Sequence, residues 1–254
     1  MGRASFKGAG LPTSSGKVSA WLRLSQGTIS GSGYSSIPDV LGSSPAVQSA
    51  NSRRPVNGAS SNGLPTASFT RANGSSLIWP LTPSVNSTQK HGIACWINVT
   101  ATLSLATIMT IGGIGSNYKV DLYLDANRRV VVDLFGIDTA GYIGRRGVTA
   151  NNSLPVTGTW VFVRYAFNGP AATEAERHKI FINEVDLPLT YSNIGAGGSP
   201  VVLRTAREAT GVGAYADGDT TFSMSAVLGP NLFVMNDVLT TTEGANLRSF
   251  EMPA

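Results

Sequence analysis

A single cysteine, Cys95, leaves no internal disulfide possible, so the order of this 254-residue chain has to come from packing alone. Histidine is nearly as scarce. His91 and His178 stand far apart, and one Cys with two distant His cannot supply a tetrahedral zinc site. Charged residues make up only 13% of the chain, and its 19 Lys and Arg form no run longer than the pairs Arg53–Arg54, Arg128–Arg129 and Arg145–Arg146. Nucleic-acid binders gather such charge on one face with aromatics interleaved, so the net charge of +4 reads as a solvated surface and no nucleic-acid partner is expected. No window approaches 18 uninterrupted apolar residues, and "MGRASFKGAG" has no apolar core of the signal-peptide kind. The expectation is a protein made in the cytoplasm and not inserted in a membrane, whose sequons, as at Asn73, Asn86 and Asn98, carry no sugar.

What the chain has in quantity is apolar residues, 42%, with 29 glycines and 13 prolines dividing them into short pieces. That favours short strands and frequent turns in one all-β domain. Residues 1 to about 65 are rich in Gly, Ser, Ala and Pro, as in "GTISGSGYSS", and hold one convincing apolar segment, "KVSAWLRLS". They read as an N-terminal arm or docking segment, with the folded domain over residues 66–254.

From residue 66 onward, period-2 alternation recurs, the pattern of half-buried antiparallel strands. "YKVDLYLD" turns through "DANR" into "RVVVDLF", a hairpin signal. "TWVFVRYAFNGP" alternates up to an Asn-Gly-Pro turn, and "HKIFINE" follows a polar linker, "AATEAER". "TFSMSAVLG" and "NLFVMN" read as two further strands joined at Gly-Pro, and Thr240 three residues before Glu243 is a capping box that opens a short C-terminal helix. Cys95, alternating with Ile93, Ile97 and Val99, reads as core. The spacing predicts a two-sheet antiparallel sandwich.

The order of "GIACWINVT", "YKVDLYLDANRRVVVDLF", "TWVFVRYAFNG", "RHKIFINEVDLP" and "LGPNLFVMNDVLTTTE" resembles the concanavalin A-like jelly roll in its laminin-G-like form, over roughly residues 66 to 250. The preceding "NGLPTASF" region is similar to the start of such domains in bacteriophage structural and bacterial surface proteins. The resemblance implies a jelly-roll fold, and it raises the question of catalysis. The enzyme branch carries Glu-x-Asp-x-(x)-Glu on one strand, and "EVDLPL" offers Glu184 and Asp186 but Leu187, Pro188 or Leu189 where the second Glu belongs. A retaining glycosidase needs two carboxyl groups about 5 Å apart, so one is missing and no enzyme is expected. The same resemblance puts "NEVD" at a turn where Asn-Gly is usual, with Glu184 in place of glycine and exposed.

No Gly-x-Ser-x-Gly elbow accompanies His91 or His178, which read as surface residues at strand starts. No cofactor is expected. Calcium is the metal to consider, because jelly rolls of this family hold it through Asp and carbonyl oxygens, and Asp217 and Asp219 flank Gly218 in "AYADGDTT". Glycan binding requires exposed aromatic platforms, and Tyr34, Trp79, Tyr142, Tyr191 and Tyr215 stand in or beside loop-like segments, whereas Trp96, Trp160 and Phe181 read as core.

These features lead to the expectation of a noncatalytic virion structural protein: a phage capsid decoration, head-fibre or tail-associated subunit made in the host cytoplasm. It would display a lectin-like domain for particle stability or for attachment to host-surface glycans. Its partners would be other virion proteins and copies of itself in a homo-oligomer. The alternatives are a carbohydrate-binding adhesion module of a bacterial surface protein and a polysaccharide hydrolase.

Overall fold

The computed structural model describes residues 16–42, 44–80, 89–101, 105–111, 118–138, 141–155, 157–195, 210–214 and 223–254. Its N-terminal strands are β1 (Val18–Arg23), β2 (Thr28–Ser30), β3 (Gly33–Ile37), β4 (Ala46–Val47), β5 (Val56–Ala59), β6 (Pro65–Phe69) and β7 (Leu77–Trp79). The remainder are β8 (Lys90–Val99), β9 (Ala106–Ile111), β10 (Tyr118–Leu124), β11 (Val130–Asp138), β12 (Gly141–Val148), β13 (Trp160–Asn168), β14 (His178–Ile182), β15 (Val185–Leu187), β16 (Thr190–Gly195), β17 (Thr210–Val212) and β18 (Ala226–Met235). Two helices, α1 (Glu174–Arg177) and the C-terminal α2 (Thr241–Ser249), complete the described elements.

All named strand pairs are antiparallel, and they form the expected all-β sandwich. In one layer, β18 pairs with β8, β8 with β13, β13 with β14 and β14 with β15. On its other side β18 is shared: its first half pairs with β6 and its second half with β1. In the second layer β7, β17, β9, β10, β11, β12 and β16 follow one another. The two layers are joined through β5, β3 and β4.

Between the layers lies one continuous core. It includes Ile93, Cys95 and Ile97 from β8, Val161, Val163, Tyr165 and Phe167 from β13, and Val120, Leu122, Val130 and Val132 from the β10–β11 hairpin. The alternation seen in the sequence points these residues inward. The outer face of the β18 layer is also buried, because α2 and the chain end lie across it. Trp21, Ala94, Trp96, Phe162, Phe233 and Leu247 form that second cluster. Trp21 stacks on Phe233 at 5.6 Å between centroids and meets Phe250 edge-on at 5.5 Å, while Trp96 Nε1 donates to the Arg248 carbonyl at 3.0 Å. β8 and β13 are therefore apolar on both faces, which explains why their sequences read as near-continuous hydrophobic runs.

Three sequence expectations are corrected here. The boundary placed at residue 65 falls at the first residue of β6, and residues 16–65 are not a separate arm. β1 is paired with β18, and Ala20, Leu22, Leu24, Tyr34, Ile37 and Ala46 lie in the main core. Short apolar segments in a Gly/Ser-rich stretch can satisfy their backbone by adding to an existing sheet, which composition does not reveal. Residues 1–15 lie outside the described residues. Next, the two strands expected around Gly229–Pro230 are one strand, β18, with a register shift between Leu228 and Leu232 that absorbs the proline's missing N–H. Finally, "AATEAER" is more than a linker. Thr173 and Glu176 form a capping box that opens α1.

Candidate functional site

The stretch "FINEVDLPLT" builds the outer face of the β13–β14 corner. Asn183 and Glu184 both have positive φ, 52° and 67°, the two-residue turn that matches a right-twisted hairpin and usually takes Asn-Gly. Glu184 occupies that position because its carboxylate turns back onto β13. Arg164 Nε donates to Glu184 Oε1 at 2.9 Å and Arg164 Nη2 to Oε2 at 2.5 Å, a bidentate pair. Both side chains are shielded, at 1% and 8% exposure, so the expectation of an exposed Glu184 is corrected. The Arg164 guanidinium also lies over the Phe181 ring at 3.6 Å, and α2 closes over the pair at Gly244. Two positions on, Asp186 Oδ2 accepts from Lys179 Nζ at 2.5 Å. Both carboxylates of the half-motif are thus held by cations on the neighbouring strands and face no cavity together.

Next to this corner lies an open cleft of about 380 Å³, lined by Ala166, Asn168, Ala171, Glu176, Lys179 and Val238. Its parts come from four places: the end of β13, the turn and α1 that follow, the start of β14, and the loop from β18 into α2. Ala166 supplies a small floor because it is the outward residue cross-strand from Lys179. Glu176 Oε2 is occupied by the capping box, accepting from Thr173 Oγ1 at 2.9 Å. Asn168 is the member with capacity to spare: its Oδ1 is buried and meets no donor among the described residues. Such an acceptor is unfavourable by about 1–3 kcal/mol until a partner arrives.

Behind the cleft, on the inner side of the same strands, sits a polar cluster. Tyr165 Oη and His178 Nδ1 are 3.1 Å apart, His178 Nε2 is 3.5 Å from Glu174 Oε2, and His91 packs on Phe167 at 4.6 Å between centroids. Both histidines are buried, correcting the expectation that they lie at the surface. Burial pushes His91 down to about 3, with His178 adding to the effect, and His178 down to about 4 despite Glu174 beside it. They are neutral packing groups.

Across the outer face of the second layer runs a cross-strand polar row: Thr110, Asp121, Asp133, Arg146 and Ser192. Arg146 holds Asp133 bidentately at 2.7 Å and 2.7 Å, and Tyr123 Oη donates to Asp133 at 3.3 Å. Burial and the Asp133 charge raise the Tyr123 phenol well above its usual range.

Of the aromatic platforms expected from sequence, Tyr34 and Trp79 are corrected. They lie in β3 and β7 with 1% and 0% exposure, and Trp79 Nε1 donates to the Ser44 carbonyl at 3.2 Å, so neither presents a ring face. Tyr191 is half-buried in β16, its hydroxyl donating to the His178 carbonyl at 3.3 Å. Tyr142 belongs to β12, but its side chain lies outside the described residues, as do Tyr215, Asp217 and Asp219. Among the described residues no group of three or more His, Cys, Asp or Glu is placed to hold a metal. The cleft residues went unnoticed in the sequence. Asn168 read as part of an Asn-Gly-Pro turn, and the one signal available was the Thr-x-x-Glu spacing of α1.

No family model matches the sequence, and no curated protein is similar to it. Solved structures are similar in fold. The receptor-binding domain of botulinum neurotoxin type G superposes with a TM-score of 0.55 at 14% identity, over 91% of this chain and 50% of that one. The shared fold is the antiparallel β-sandwich. The binding domain of Paraclostridial mosquitocidal protein 1 gives 0.53 at 12% identity, over 91% of this chain and 51% of that one. Trypanosoma rangeli sialidase, solved with the inhibitor DANA, gives 0.53 at 13% identity, over 91% of this chain and 32% of the enzyme. The chain therefore spans about half of the toxin binding domains and a third of the sialidase.

Proposed function

We propose that this chain is a noncatalytic glycan-binding domain that takes a saccharide in the cleft beside the β13–β14 corner. The observation that carries this reading is the open cleft of about 380 Å³ with Asn168 in its wall, whose buried Oδ1 meets no donor among the described residues. That volume lies at the small end of the range for small-molecule sites, the scale of one or two sugar residues. Sugars are read by amides and carboxylates through their hydroxyls, and Ala166, Ala171 and Val238 supply apolar surface for a ring's C–H face. Support also comes from the fold, which is shared with toxin domains described as binding or receptor-binding and with a sialidase.

The noncatalytic part of the reading rests on Glu184 and Asp186, each held by a cation. Adhesion at a cell surface and display on a virion both suit a glycan-binding domain. In either setting residues 16–65 act as part of the sandwich, and docking to partners falls to other surfaces. A glycan array probed with the full chain, followed by Asn168→Ala, tests the proposal. Binding that falls at least fivefold in the variant while its melting temperature holds is expected, and an array with no signal overturns it.

A further inference from the structure

The charges around the cleft are already committed, and in a way that bears on which glycans fit. Lys179 Nζ is taken by Asp186 at 2.5 Å. Lys90, cross-strand from Asn168, is taken by Asp237 at 3.1 Å, next to the lining residue Val238. Glu176 lines the wall with its carboxylate bonded to Thr173 and, among the described residues, in no ion pair. The lining itself thus holds one cation, Lys179, and one carboxylate, Glu176, and the cations beside it, Lys90 and Arg177, are paired with Asp237 and Glu174.

A sugar bearing a carboxylate would have to draw Lys179 away from Asp186 or sit against Glu176 with no charge to meet it, which is a repulsive arrangement. The amide of Asn168 makes no such demand. An amide carries an acceptor and two N–H donors and no charge, a set that suits the hydroxyls of a neutral pyranose.

We propose that the cleft selects neutral saccharides with adjacent hydroxyls and discriminates against acidic ones, and that the Lys179–Asp186 pair sets this selectivity. The inference rests on the glycan-binding reading above. Asp186 is 43% exposed on the edge strand β15, so Asp186→Asn leaves the fold intact and frees the Lys179 ammonium. The variant is expected to bind acidic sugars at least fivefold more tightly than the parent.

The experiment is a titration of the ¹⁵N-labelled full chain with lactose, mannobiose and cellobiose, and with sialyllactose, in the parent, Asp186→Asn and Asn168→Ala forms. The proposal expects shifts at Ala166, Asn168 and Ala171 with a neutral sugar, binding at least tenfold weaker with sialyllactose, and recovery of sialyllactose binding in Asp186→Asn. Sialyllactose binding to the parent as tightly as the neutral sugars, through the same residues, overturns the selectivity while glycan binding stands. Absence of cleft shifts with every sugar overturns both.

Discussion

Glu184 reaches back from a left-handed turn position to grip Arg164 with both carboxylate oxygens, at 2.9 Å and 2.5 Å, beneath helix α2. The residue that looks in sequence like half of a catalytic motif is a structural clamp. Removing one partner of a buried pair strands the other charge, at a cost of about 3–5 kcal/mol. Glu184→Ala should lower stability by that amount in urea denaturation. Replacing both residues with apolar ones, Arg164→Met with Glu184→Leu, should recover most of the loss, and a double variant no better than the single one would contradict this account.

Gly244 is the point where α2 meets that clamp. A Cβ there would overlap Glu184 Oε2 and crowd Arg164 Nη2. Alanine in a helix interior ordinarily gains up to about 1 kcal/mol over glycine. Gly244→Ala is instead expected to destabilise by roughly 1–3 kcal/mol, the usual range for overpacking. Chemical denaturation gives the sign directly.

The N-terminal strands supply core residues that the rest of the chain cannot replace. A chain of residues 66–254 alone would lose Leu22, Tyr34 and Ile37 from the core and leave the second half of β18 without its β1 partner. It is expected to be insoluble, or to lack a cooperative thermal transition by circular dichroism. A soluble fragment with a cooperative melt would show that the segment is dispensable.

Acid should weaken the fold through His91 and His178. Their folded values of about 3 and about 4 lie below the ordinary value of 6.5, so the unfolded chain takes up protons first as pH falls. Stability is full above about pH 6.5 and declines down to about pH 4 for His178 and about pH 3 for His91, by about 2 kcal/mol per histidine at pH 5. The groups facing them, Tyr165, Phe167, Glu174, Arg177 and Arg145, do not offset their burial. His91→Phe keeps an aromatic ring against Phe167 and should roughly halve the pH slope. An unchanged slope would assign the acid sensitivity elsewhere.

Cys95 sits inside the sandwich with its thiol pushed up to about 12 by burial. It should react with a thiol reagent only as fast as the protein unfolds, and full modification within minutes under native conditions would contradict that placement.

The sequence by itself determined much of the secondary structure: the alternating strands of β10, β11 and β13 and the capped C-terminal helix. Each of these is a local pattern in which side-chain period or cap spacing follows from backbone geometry. The composition of residues 1–65 misled because a strand needs only a neighbour to pair with, and β1's neighbour lies more than 200 residues away in β18. Only the tertiary structure decided which faces are covered. Alternation gives two faces without saying whether a helix or a second sheet lies over either. Tyr34, Trp79, His91 and His178 were therefore misplaced toward the surface, and Arg164 and Glu184 were seen apart. The cleft belongs wholly to this second category, because its six lining residues come from separated segments of chain that meet only once the sandwich has closed.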